Sequence, residues 1–160
     1  MISTGPHAFF RQVVEGDLPY IARCMGAAAG LPYARWENIL GSLELQFRDE
    51  EDSWRPQAWV MAVGDRPVFL LEDTGDQVFL TGPPSWGEHT RRMALVWQAA
   101  LVHFFLRLQR REVRMVVQAT REAEVKALEN LGCRRESVYI NGIGTHYLYV
   151  CRPDDLRAVI

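Results

Sequence analysis

The sequence is poor in the features that build several whole classes of protein. Its three cysteines, Cys24, Cys133 and Cys151, are scattered, odd in number and in no Cys-x-x-Cys pair. That pattern argues against a disulfide scaffold or a zinc ribbon and points to a reducing cytoplasm. No apolar run approaches the ~20 residues that a membrane-spanning helix needs. Residues 1–7 show neither the basic n-region nor the apolar h-region of a secretory signal, so none is expected. The four histidines stand far apart, with no acids clustered around them, which fits no common metal-ligand set. Internal repeats, low-complexity tracts and linkers are lacking as well. What remains is a chain of 160 residues, 48% apolar and 24% charged, the composition of a folded domain rather than a disordered one. A single domain over residues 1–160 is expected.

Charge is balanced in sum and uneven in distribution. The net charge of −2 argues against a dedicated nucleic-acid binder. Between Arg91 and Arg135, however, ten basic residues face only four acids, a net +6 that leaves −8 for the rest. A local positive field of this kind holds a polyanionic small ligand, although solvated arginines on a helix rim give the same pattern.

Periodicity predicts the elements in order. Residues 7–14 read as a strand, and Asp17 as the N-cap of a helix that runs through Ile21 and Met25 to a stop at Gly30. Pro32 opens a second helix with Trp36, Ile39, Leu40, Leu43 and Phe47 at helical spacing. Three strands follow as an antiparallel meander at residues 58–63, 67–71 and 77–81, with turns at Gly64-Asp65 and at residues 73–76. After the loop Gly82–Gly87 a long helix begins near Thr90, its apolar face carrying Met93, Val96, Trp97, Ala100, Leu101, Phe104 and Leu108. Residues 113–117 read as a central strand, Thr120 as the cap of a shorter helix, and Gly132 as that helix's stop. Strands at 137–140 and 145–151 end the chain, the latter read as an exposed edge that would permit a homodimer.

This β-α-α-β-β-β-α-β-α-β-β order, with a helix-opening loop after the fourth strand, resembles the GNAT superfamily of acyl-CoA N-acyltransferases across nearly the whole chain. The stretch Pro84-Ser85-Trp86-Gly87 resembles the start of that superfamily's pyrophosphate loop, and Ala127-Leu128-Glu129-Asn130-Leu131-Gly132-Cys133 resembles its Leu-Glu-x-Leu-Gly-Phe ending. The Trp-Gly loop is similar to the branch that acetylates protein N-termini. Pro67 to Glu72 is more similar to the branch acting on siderophore precursors and aminoglycosides. The resemblance implies an α+β fold, a mixed and mostly antiparallel sheet of about seven strands flanked by about four helices.

It also implies acetyl-CoA as co-substrate, no metal, and an acceptor that is a small-molecule amine or a peptide N-terminus. The implied cofactor contacts are Phe79, Leu80 and Thr81 on the fourth strand, Trp86 to Arg92 in the loop and first helical turn (Trp86, Gly87, Glu88, His89, Thr90, Arg91, Arg92), and Arg121 after the fifth strand. Backbone N–H groups and a helix N-terminus suit a diphosphate. The chain departs from the family pattern in carrying His89 at the second glycine position and Arg91 at the small third one. Arg121 stands in place of an asparagine, Glu124 of a serine, and Leu128 of a tyrosine.

Direct transfer to an amine needs a base and an oxyanion donor. Backbone groups of residues 78–81 would donate to the oxyanion, and Glu72 and His89 are the candidate bases. Trp54 and Tyr147 are candidate acceptor contacts, Trp54 because aromatics near the acidic run Asp49–Asp52 suit a cationic amine. His103 is expected to be a satisfied core or edge histidine rather than a catalyst, and His146, beside Tyr147 and Tyr149, either lines an acceptor pocket or, as expected, occupies an exposed strand position. Trp36, Cys24 and Cys133 read as packing residues. The alternative to an enzyme is a GNAT-like binding or assembly module without acyl-CoA chemistry.

Overall fold

Apolar residues two apart build seven strands, and apolar stripes at helical spacing build the helices that cover them. A computed structural model describes residues 9–28, 36–48, 51, 57–63, 66–82 and 88–158. The elements are β1 (Phe9–Gln12), α1 (Leu18–Ala28), α2 (Trp36–Gln46), β2 (Ala58–Val63), β3 (Arg66–Asp73), β4 (Val78–Thr81), α3 (Thr90–Val102), β5 (Val113–Gln118), α4 (Glu122–Asn130), β6 (Arg134–Asn141) and β7 (Gly144–Cys151). The expected α+β fold is therefore present. The expectations placed on Gly30, Pro32, Gly64-Asp65 and residues 83–87 lie outside the described residues, as do the side chains of Cys24 and Trp36.

One sheet holds all seven strands in the order β1-β2-β3-β4-β5-β7-β6. Every neighbouring pair is antiparallel except β4 and β5, which run parallel. The main core lies between one sheet face and helices α3 and α4, around Trp97, Phe104, Met115, Leu128 and Tyr149. A second core, built on Val60, Leu70, Ile21 and Leu43, lies under α1 and α2 on the other face. Beyond α3 the chain widens into a π-helical turn over His103–Arg107, the end of the long helix read from the sequence.

The structure corrects three local expectations. Asp17 does not cap α1: its carboxylate points backwards, accepting from the Val14 N–H at 2.9 Å and from both terminal nitrogens of Arg11. Burial pushes this carboxyl up, but the Arg11 and Val14 hydrogen bonds and the Arg11 charge outweigh that and hold it below the usual carboxylate range. The N-cap of α4 is Arg121 rather than Thr120, one residue later. Strand β7 is interior, between β5 and β6, so the open edge on that side is β6, where Val138 and Ile140 are exposed. The stop at Gly132 stands, with φ of 92°.

Candidate functional site

The parallel pair at the centre of the sheet comes apart. Strands β4 and β5 are joined only at Val78 and Met115. Beyond that rung β4 goes on pairing outward with β3, Phe79 to Glu72 and Thr81 to Leu70, while β5 goes on pairing outward with β7, Val117 to Tyr147 and Gln118 to His146. Beyond this rung the two strands do not pair with each other, which leaves a slot between their C-terminal halves. Backbone groups denied a ladder need other partners, and an extended ligand with amide groups supplies them.

Alternation sorts the side chains around the slot. Leu80, Val117, Tyr147 and Tyr149 point into the α3 and α4 side, packed in or against the main core. Glu72, Phe79, Thr81, Gln118 and His146 share the opposite face, through their cross-strand pairings with one another and with Leu70. Glu72, Phe79, Thr81 and Gln118 are half-buried, and His146 is buried.

Past the slot, Gly82 is buried, and a Cβ there would sit 2.1 Å from the Phe69 ring, so a larger residue fits only if that buried ring moves. The first turn of α3 follows. His89 is its N-cap, extended at φ −111° and ψ 105°, with an exposed side chain that makes no capping bond. Glu88, Arg91 and Arg92 are exposed, and Thr90 is half-buried. The turn combines the positive end of a helix dipole with two arginines, a setting that favours an anion. A cavity of about 490 Å³ lies between this turn and the end of α4, lined by Thr90, Arg91, Ala94, Asn130, Leu131 and Arg157. Trp86 and Gly87, like Trp54, lie outside the described residues.

Arg121 stands at the mouth of the slot, after β5, with its guanidinium 3.3 Å from the Glu124 carboxylate. Glu124 is 2% exposed and takes a second hydrogen bond, 3.0 Å long, from the Trp97 indole N–H. Burial pushes the Glu124 carboxyl up, and the Arg121 charge and the Trp97 and Arg121 hydrogen bonds only partly offset it. Sequence reasoning noticed Glu124 as a departure but not this network, for which an acid in the first turn of a helix beside a tryptophan-bearing helix was the available signal.

The sequence-derived candidates therefore fall into groups. Phe79, Leu80 and Thr81 line the slot, Glu88 to Arg92 follow it, Arg121 flanks it, and Glu72 sits one strand away. Tyr147 lies on the other face from Glu72, its ring beneath the Arg135 guanidinium at 3.7 Å. Two histidine expectations are corrected. His146 is buried, because β7 is interior. His103 is buried as well but not satisfied: among the described residues neither ring nitrogen has a hydrogen-bond partner, and its ring meets Trp59 edge-on at 5.1 Å. Among the described residues no group of three or more His, Cys, Asp or Glu side chains is placed to hold a metal, and no helix is long and apolar enough to cross a membrane.

A seven-stranded mixed sheet split between β4 and β5, with a helix N-terminus after β4, is the GNAT acyl-CoA N-acyltransferase fold, and this chain has it. Solved structures show the likeness over most of the chain. A GNAT-family acetyltransferase from Bacillus anthracis superposes with a TM-score of 0.66 at 12% identity, covering 96% of this chain and 99% of that one. A variant of the Vibrio cholerae spermidine N-acetyltransferase SpeG gives 0.65 at 12% identity, covering 92% and 95%. AAC(6')-Ib, solved with acetyl-CoA in one complex and with ribostamycin and coenzyme A in another, gives 0.62 at 11% identity, covering 92% and 94%. No protein-family model matches the sequence, and the search of curated proteins found no match to it.

Proposed function

We propose that the chain is an acetyl-CoA-dependent N-acyltransferase that moves the acyl group directly from the thioester to a primary amine, on a small molecule or a peptide N-terminus. The observation that carries this reading is the slot where β4 and β5 part, with α3 as the next described helix in the chain after β4. The inward peptide groups of residues 79–81 suit the amide-bearing arm of the co-substrate and supply the oxyanion donor. The backbone of the first α3 turn, with His89, Arg91 and Arg92, takes the pyrophosphate by side chain as well as by N–H groups, which offsets the missing glycines. The cavity between α3 and α4, with Arg91 and Arg157 on its rim, receives the remaining anionic end. Glu72 or His89 would serve as base in the reading from sequence. Spermidine and ribostamycin, named with the superposed structures, fix the class of acceptor to test first. The setting proposed is the cytoplasm, where Cys133 and Cys151 stay as thiols, and a homodimer would form through the β6 edge.

A binding module without catalysis is the second reading, and one observation favours it: Arg121, at the position from which a cofactor contact would come, holds Glu124. Calorimetric titration with acetyl-CoA, and separately with CoA, decides between acyl-CoA binding and its loss. Saturable one-site binding is expected, with a rise in melting temperature, since ligand at about 100 times its dissociation constant adds roughly 2.7 kcal/mol. Absence of heat and of any melting shift at millimolar ligand would sink the enzyme reading.

A further inference from the structure

The slot is flanked by β3 on one side and β7 on the other, and each flanking strand presents one titratable side chain on the face opposite α3 and beyond the Val78–Met115 rung. On β3 it is Glu72, paired with Phe79; on β7 it is His146, paired with Gln118, the last residue of β5. Glu72 already has a partner of its own. The surroundings of His146 are those of a held and oriented base. Its ring stacks on Tyr139 with centroids 5.2 Å apart and planes 9° from parallel. Its Nδ1 lies 3.2 Å from the Gly144 carbonyl oxygen. A carbonyl only accepts, so Nδ1 carries the hydrogen and the neutral ring keeps its lone pair on Nε2. Among the described residues Nε2 makes no hydrogen bond, yet it is not an enclosed orphan of the kind that both His103 nitrogens are.

We propose that His146 is the catalytic base for the acceptor amine, reached from the face opposite α3. The proposal rests on the acyl-CoA reading above. As the amine nitrogen bonds to the thioester carbonyl carbon, the carbon–sulfur bond breaks and Nε2 takes the amine proton. The imidazolium then returns that proton to the departing thiolate, which leaves amide and free thiol. Gly144 fixes the tautomer and Tyr139 fixes the ring plane, so the lone pair is set before the amine arrives. Among the described residues the groups facing His146 are the Tyr139 phenol from β6 and the uncharged Gln118 from β5.

The test uses His146→Asn, whose side-chain amide can still donate to Gly144 but offers nothing at the Nε2 position, with His146→Gln as a second variant should the first fold poorly. Thiol release from acetyl-CoA in the presence of spermidine or ribostamycin is followed across pH 5.5–9, beside calorimetric binding of acetyl-CoA. Expected are a kcat lower by about 100-fold or more, an unchanged dissociation constant for acetyl-CoA, and loss of the rising limb of the pH profile. The limb must rise with pH, because only the neutral ring accepts a proton. Wild-type kcat and profile in a variant that binds acetyl-CoA normally would overturn the base and leave the acyl-CoA reading standing. Absence of acetyl-CoA binding to the wild type would overturn both. Should binding occur without turnover of these amines, nitrogen NMR of the histidines decides. A protonated Nδ1 with an Nε2 signal that moves on saturation with acetyl-CoA supports the proposal, and an unmoved signal or the opposite tautomer defeats it.

Discussion

His103 and Glu124 are both buried against the main core, and each meets burial differently. Glu124 stays in place because Trp97 and Arg121 both donate to it. His103 has no such help: burial, reinforced by the nearby Arg107 charge, lowers its pKa to about 4, and among the described residues both nitrogens go unbonded. The sign of the resulting pH dependence follows directly. A folded-state value below the ordinary one means that the unfolded chain takes up the proton first as pH falls. Stability from the neutral ring is therefore fully present above about pH 6.5 and drains away as pH falls to about 4. His103→Leu removes both the proton site and the two orphan nitrogens while keeping an apolar group of similar size. At pH 7.5 it should be as stable as wild type or better by about 1 kcal/mol. Urea midpoints between pH 7.5 and 4.5 should fall less steeply for the variant. Parallel curves would show that the His103 ring titrates normally.

Elements in this fold are joined by small fixed pieces, and the end of α4 shows how little room they leave. Gly132 turns the chain at φ 92°, and a Cβ there would lie 2.0 Å from the carbonyl oxygen of Asp155. The C-terminal segment passes that close because Arg157 donates to Leu131 at 2.7 Å and Asp155 is paired with Arg134. Gly132→Ala thus faces a left-handed backbone and a backbone clash together. A loss of at least about 1–3 kcal/mol is expected, read as a melting temperature lower by several degrees. An unchanged melting curve would mean that the C-terminal segment lifts away freely. The turn was legible in the sequence because a glycine after an apolar helix is a strong stop signal, but what it avoids was not, since Asp155 comes from a later part of the chain. The same limit explains Asp17 and Thr120. Their caps were read from residue type alone, whereas Arg11 draws the Asp17 carboxylate backwards and α4 starts after Arg121.

Across the whole molecule, the order of elements was legible because each is announced by its own periodicity, and the sheet order was not, because pairing is a property of distant segments. Two consequences bear on the site. The slot exists only because β4 and β5 pair at one rung, and nothing in either strand announces that. The interior place of β7 carried a usable signal that went unread: Tyr147 to Cys151 is apolar without alternation, as an interior strand is, while β6 opens on Arg134, Arg135 and Glu136, as an edge strand does. The basic stretch from Arg91 to Arg135 was legible as a sum, but several of its arginines pair with acids elsewhere in the fold. Arg110 pairs with Asp73, Arg114 with Glu112 and Glu136, Arg121 with Glu124, and Arg134 with Asp155. The proposed anion site draws on the first turn of α3, not on the whole stretch. Charge reversal separates local from global: Arg91→Glu should weaken acetyl-CoA binding by about 10-fold or more, the worth of one charge-assisted hydrogen bond. Arg134→Glu changes the net charge equally, and should leave the affinity alone, since it loses only an exposed pair with Asp155. Equal losses of affinity in the two variants, measured by calorimetry at one salt concentration, would mean that the overall charge rather than the α3 turn holds the anion.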